Sequence, residues 1–240
     1  MTRRRVGAVL AGLGILVAAY AVTVVLWRDP ATDLYARWKQ HTLSDELAKT
    51  FAEERGMFAS LQIRDENATR HVSGKDLRIG LEQLAVAQAA NDLHARLKLG
   101  KPLGRLKVPR LGLNTVFVHG TRWGPDLSQG PGHYPQTSLP GVGRTMAIAG
   151  HRTTFGAPFR HIDSLRRGDP ITVALPYATF HYRVFRHEIV DNENWSIVRD
   201  RGFDTLVLSA CHPLYSAEKR WVVFARLVRV APVGGMPYAA

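Results

Sequence analysis

Three textures follow one another along the chain. The first is an apolar run from Val6 to Trp27 that carries no charge. As a helix its 22 residues would measure roughly 33 Å, about the thickness of a bilayer's hydrocarbon core. Ala19-Tyr20-Ala21 has the look of a leader-cleavage site, but Val22 to Trp27 stays apolar beyond it, which suits an uncleaved anchor. Arg3, Arg4 and Arg5 precede the run and predict a cytoplasmic N-terminus, with the bulk of the chain outside; Arg28, Arg37 and Lys39 on the other flank pull against that orientation.

From Pro30 to about Gly100 the spacing turns helical. Leu43, Leu47 and Phe51 recur every fourth residue, with Thr42 or Ser44 as the N-cap and Gly56 as the stop. A second stripe, Leu81, Ala85, Ala89, Leu93 and Leu97, ends at Gly100 and Pro102. Residues 59 to 75 between them are mostly polar and have no clear period. The pattern predicts a helical hairpin or stalk over 29–101 that lifts the remainder off the membrane.

Beyond Pro102 come short β-rich runs cut by Gly and Pro: LGRLKVP, LNTVFVH, RTMAIAG, PITVAL, TFHYRVFRHEIV, DTLVLSAC and RWVVFARLVRV. Seven such runs predict a closed barrel or a sandwich over 102–232. Two long connections, RWGPDLSQGPGHYPQTSLPGVG and HRTTFGAPFRHIDSLRRGD, are the places where a β scaffold builds sites. The tail 233–240 reads as frayed, and residues 1–28 as a cytoplasmic tip and transmembrane anchor.

Composition narrows the chemistry. The 240 residues suffice for one packed domain with attached segments. The net charge of +12 is concentrated late, where residues 100 to 240 hold eighteen bases against nine acids. A polyanion partner would fit that charge, but no aromatic and basic residues interleave as a nucleic-acid groove requires. A solvated basic surface facing lipid headgroups and wall polymers is the expectation, with no nucleic acid partner. The single cysteine, Cys211, excludes an internal disulfide and a zinc site built on two or four thiolates. His181 and His187 would share a strand face about 20 Å apart, too far for one ion. No metal and no cofactor is expected.

Cys211 ends a predicted strand on which residues 205, 207, 209 and 211 share a face, so His212 points away from the thiol. His151 follows another strand end, where Gly150 lets the backbone turn. Arg220 opens the strand after Cys211, the neighbour in a hairpin, where its charge would stabilise a thiolate or an oxyanion. Each alone is ordinary: a packed thiol, a loop histidine, a strand-end arginine.

Together AIAGHRTTFGAPF, LSACHPLYSAEKR and GPGHYPQTSLPG resemble the sortases, cysteine transpeptidases of Gram-positive surfaces, most of all the class E members of actinobacteria. The resemblance covers residues 102 to 230. It implies a mainly β protein, an eight-stranded β-barrel behind the transmembrane helix and helical hairpin, with His151, Cys211 and Arg220 in the catalytic positions. It further implies cleavage of the Thr-Gly bond of an LAxTG-type sorting signal and transfer of the protein to an amine of a peptidoglycan precursor or another protein, at the outer face of the membrane. Gly132, His133 and Tyr134 would shape a substrate loop, with His133 structural, and Tyr134, Ser209 and Ala210 would meet the substrate. One departure stands out: the family's TLxTC motif reads VLSAC here, with Val207 and Ala210 at the threonine positions. The loss of an oxyanion-hole donor costs on the order of a hundredfold in rate.

Two other wall-enzyme patterns fit poorly. L,D-transpeptidases carry SHGCxR, whereas Pro213 stands two residues after Cys211; papain-like hydrolases place Cys before His, and here His151 comes first. The non-catalytic alternative is a membrane-tethered β-domain that binds sorting signals or wall polymers, with Cys211 merely packed.

Overall fold

The computed structural model describes residues 3–26, 29–69 and 75–240, and the side chains of 5–24, 29–54 and 76–240. Helix α1 (Arg3–Leu26) contains Val6 to Leu26 of the uncharged run, and its segment Arg5–Val24 is long and apolar enough to cross a membrane. Helix α2 (Pro30–Thr69) starts well before the predicted cap. Asp29 caps it instead, its carboxylate accepting from the N–H groups of Ala31 and Thr32 at 3.1 and 3.4 Å. Pro30 costs nothing at the first position, where its missing N–H would have had no partner. Thr42 and Ser44 sit inside the helix and turn their hydroxyls back to the carbonyls of Trp38 and Gln40. The helix also passes through Gly56, whose penalty of about 1 kcal/mol is too small to end so long an element. Helix α3 (Lys75–Arg96) follows. Residues 70–74 between the two helices, and Trp27 and Arg28 after α1, lie outside the described residues.

Both helices lie against the barrel. Leu43 and Leu47 of α2 pack with Val116 and Val118, each worth about 1.5–3 kcal/mol when removed from water. In α3 the buried stripe is Val86, Ala89, Ala90 and Leu93, extended by Ile79 and Leu97, while Ala85 is exposed. A strict four-residue series overshoots each helical turn by about 40°, so Leu81 and Leu97 cannot share one face.

All seven predicted strands form. They are β1 (Pro102–Val108), β2 (Leu113–His119), β4 (Thr145–Ala149), β5 (Pro170–Ala174), β6 (Ala178–Asp191), β7 (Thr205–His212) and β8 (Lys219–Pro232). Two short ones join them, β3 (Gly132–His133) and β9 (Tyr238–Ala239). The sheet order is β6-β5-β1-β2-β3-β4-β7-β8-β9, and pairing of β6 with β8 closes eight strands into a barrel with β9 outside the ring. The tail is therefore not frayed: Tyr238 pairs with Val230 and is buried, and the N–H of Val233 donates to the carbonyl of Tyr177.

Alternation along β7 decides what the site sees. Leu206, Leu208 and Ala210 face the barrel interior, while Val207 packs on the outer side with Ala147, Val222 and Phe224. On β6 the alternation breaks, because the register shifts at His181/Tyr182 and again at Val184/Arg186. His187 pairs with the core residue Val223 and stacks on Trp221, whereas His181 pairs with the exposed Arg229. The two imidazoles thus occupy opposite faces and not the one expected.

Candidate functional site

The register of three strands assembles the site. Strand β7 runs parallel to β4, with Ala149 level with Ser209, and the N–H of Gly150 donates to the Ser209 carbonyl at 3.0 Å. His151 follows Gly150 directly, just beyond the end of β4, on the side of β7 that faces β4. On the other side β8 is antiparallel to β7 and pairs Arg220 directly with Cys211. Cys211 thus has Arg220 as its backbone neighbour on β8, while β4, which leads into His151, flanks β7 on the other side. His212 faces the other way, its ring 5.4 Å from that of Trp221.

Gly150 acts by size. A Cβ there would lie 2.5 Å from the ring of Phe159, so glycine lets that buried ring pack beneath the strand end from which His151 projects. The His151 carbonyl accepts from the Phe159 N–H at 3.0 Å, which fixes the start of the loop. Further along, Phe155 and Ala157 adopt positive φ values of 50° and 42°, a strained choice for side-chain-bearing residues. The Phe155 ring lies 5.4 Å from that of His151. Burial pulls the His151 pKa below its ordinary value, so the ring is neutral at pH 7, and its Nε2 has no hydrogen-bond partner among the described residues.

Beside the thiol, the Tyr134 hydroxyl and Ser209 Oγ are 2.9 Å apart. Burial raises the Tyr134 pKa; the bond to Ser209 and the charge of Arg220 work against that rise, and Cys211 adds to it. The phenol thus feels both strand-paired residues. Of the six residues singled out from the sequence, Tyr134, Ser209, Cys211 and Arg220 gather here, and His151 follows the adjoining end of β4. Ala210 does not, since its side chain lies in the barrel interior, 3% exposed, on the face opposite the thiol. Arg220 itself donates to the carbonyls of Ala217 and Lys219 at 2.9 and 3.1 Å, which holds its guanidinium at the turn after Cys211.

Sequence reasoning missed Arg152. Only 3% exposed, it donates to the Arg160 carbonyl and to Asp163 at 2.7 Å, and its remaining nitrogen reaches the Cys211 carbonyl at 3.5 Å and His212 Nδ1 at 3.4 Å. It ties the loop of His151 to the end of β7. The one signal in the sequence was an acid eleven residues away in the same loop, which gives no hint of burial. His133, read as structural, is fully buried, with Nδ1 3.0 Å from Nδ1 of His119 and Nε2 3.1 Å from Thr137 Oγ1.

Comparison with known proteins adds an independent line. The Sortase domain family matches residues 106–228, a little over half of the chain. Sortase D of Bacillus subtilis is 30% identical over 145 residues, covering 59% of this chain and 71% of that protein. Sortase SrtE1 of Streptomyces coelicolor is 28% identical over 148 residues, 55% of this chain and 42% of its own length. Among solved structures, sortase E1 from Streptomyces coelicolor with a tripeptide in the active site superposes with a TM-score of 0.54 at 26% identity, over 56% of this chain and 93% of that one.

Proposed function

The chain belongs to the sortase family of cysteine transpeptidases, and from that premise we propose that it is a membrane-anchored, class E-like sortase that cleaves LAxTG-type sorting signals and joins the released proteins to a cell-wall amine. What supports this reading is the register that pairs Arg220 with Cys211 and brings the end of β4, which His151 follows, level with Ser209. Cys211 attacks the threonine carbonyl of the Thr-Gly bond while neutral His151 takes the thiol proton. Arg220 faces the negative charge that develops on the carbonyl oxygen, and the Tyr134–Ser209 pair lies along the same wall. Collapse of the tetrahedral species breaks the C–N bond as His151 returns the proton to the leaving glycine amine. A second amine then attacks the thioester, forms the new amide and restores the thiol. Ala210 supplies no hydroxyl from its interior position, so backbone N–H groups and Arg220 carry the oxyanion. Helix α1 holds the enzyme, its substrates and a lipid-linked acceptor at the outer membrane face, with Arg3 to Arg5 inside.

A catalytically weak domain that only binds sorting signals or wall polymers is the alternative, favoured by Ala210 and by the burial of His151 Nε2. The two readings separate when the full chain in detergent is incubated with an LAETG peptide and a glycine or diaminopimelate amine and analysed by mass spectrometry. A ligated product lost in Cys211→Ala supports the enzyme. Retained peptide affinity with no product, from folded protein, supports the binding domain.

A further inference from the structure

An aromatic strip beside the site has no part in the reaction above. Trp38, Tyr35, Phe155 and Trp123 form an unbroken series, with ring centroids 6.0, 6.2 and 6.4 Å apart in turn. Contacts of this kind normally close a core, yet Trp123 is 72% exposed, Trp38 60%, and Leu34 next to them 71%. Three separate segments contribute: the first turns of α2, the loop after β2 and the loop after β4. The N–H of Phe155 donates to Thr32 Oγ1 at 3.0 Å, which pins the last of these segments to α2.

The strip is fixed relative to α1. Tyr20 of α1 donates to Asp29, the cap of α2, at 2.6 Å. Tyr215, four residues after Cys211 and 53% exposed, donates to the Val24 carbonyl at 3.2 Å, at the end of the apolar segment Arg5–Val24. Trp38 lies within about 12 Å of Pro30 along the helix. Aromatic residues therefore surround the point where the apolar helix ends. Trp and Tyr are the side chains that settle at a membrane interface, with apolar rings and polar edges. The charge also fits: Arg37 is exposed, and Lys39 places Nζ 5.2 Å over the Trp38 ring, so two cations flank the strip where lipid phosphates would meet it. Of the nearby acids, Asp29 caps the helix and Asp126 is held by Arg122, while Asp33, next to Leu34, is half-buried in the first turn of α2.

We propose that Leu34, Tyr35, Trp38 and Trp123 form a collar that docks into the phospholipid headgroup layer and rests the barrel on the bilayer beside Cys211. This rests on the membrane-anchored reading above. The full chain is reconstituted into phosphatidylcholine and phosphatidylglycerol vesicles whose acyl chains are brominated near the headgroup, and the emission of Trp123 is isolated as the difference between wild type and Trp123→Phe. Carbonate extraction first reports insertion of α1; release of the protein would overturn the anchor and the collar together. For inserted protein, the collar predicts severalfold quenching of Trp123 by brominated over ordinary lipid and protection from aqueous iodide, with the same pattern for Trp38 through Trp38→Phe. Quenching by iodide but not by bromine would overturn the collar and leave the anchor standing. Shielding from both would also overturn it, because another protein surface or a second copy would then cover the strip.

Discussion

Lowering the pH should destabilise this barrel through His133. The imidazole is fully buried between His119 and Thr137. Its Nδ1 faces Nδ1 of His119, so one ring must donate and the other accept, and a doubly protonated pair has no acceptor. Burial, with smaller contributions from His119 and His94, lowers its pKa to about 3. The groups around the pair are His94 of α3 and Asp126, which is itself held by Arg122. Because the folded pKa lies below the unfolded value of 6.5, stability is complete above pH 6.5 and is lost as the pH falls toward 3. At pH 4.5, two units below the unfolded pKa, the loss from this residue is about 2.7 kcal/mol at roughly 1.36 kcal/mol per unit, a large share of a typical folding free energy. Burial also lowers the pKa values of His119 and His151, which add in the same direction, whereas the buried Asp204, with its raised pKa, opposes them. The comparison with His133→Asn removes these shared contributions. Urea unfolding of both proteins in detergent, followed by near-UV circular dichroism at pH 7.5 and 4.5, should give wild type a pH-dependent loss larger than the variant's by about 2–3 kcal/mol. Equal losses in the two proteins would refute the reasoning.

Three further outcomes are expected. Tyr134→Phe leaves buried Ser209 without its phenol partner and should cost about 1 kcal/mol in thermal or urea unfolding, with a fall in kcat/KM for the sorting peptide. Arg152→Met strands the Arg160 carbonyl and unties the His151 loop from β7; since Asp163 is 42% exposed and regains water, the cost is about 2 kcal/mol, and Arg152→Lys should recover only part of it because the forked geometry is lost. Leu93→Ala, at the contact between α3 and the barrel, should destabilise by about 2–5 kcal/mol if that helix is part of the folded unit, and by almost nothing if it is a detached stalk.

The barrel and the thiol's neighbours were legible because their signals are local or ordered. Each long strand carries β-branched and aromatic residues between Gly and Pro, and the short hairpin that the sequence suggests after Cys211 forms, with Arg220 paired to it. What escaped had no local signal. Strand β3 is only Gly132–His133, held by pairing with β2 and β4 that no periodicity announces. Strand β9 pairs a tail of small residues through the single buried ring of Tyr238. The cap of α2 was missed because Asp29 precedes the apolar stripe by fourteen residues, in a part of the helix whose exposed face includes Leu34 and Trp38. Alternation placed Ala210 opposite the thiol, yet its position in the motif invited a role beside it; the strand period is the better guide. Arg152 shows the converse limit, since burial of a charged side chain depends on partners that only the folded loop brings together.

The central claim is that Cys211 forms a covalent acyl intermediate. The direct measurement is acid quenching of the full chain shortly after mixing with an LAETG peptide, then digestion and mass analysis of the segment containing Cys211. The account predicts that this segment gains the mass of an LAET acyl group, that the gain disappears when a glycine amine is added in excess, and that it never appears in His151→Ala. Ligated product that forms without acylation at Cys211, or that persists in Cys211→Ala, would contradict it.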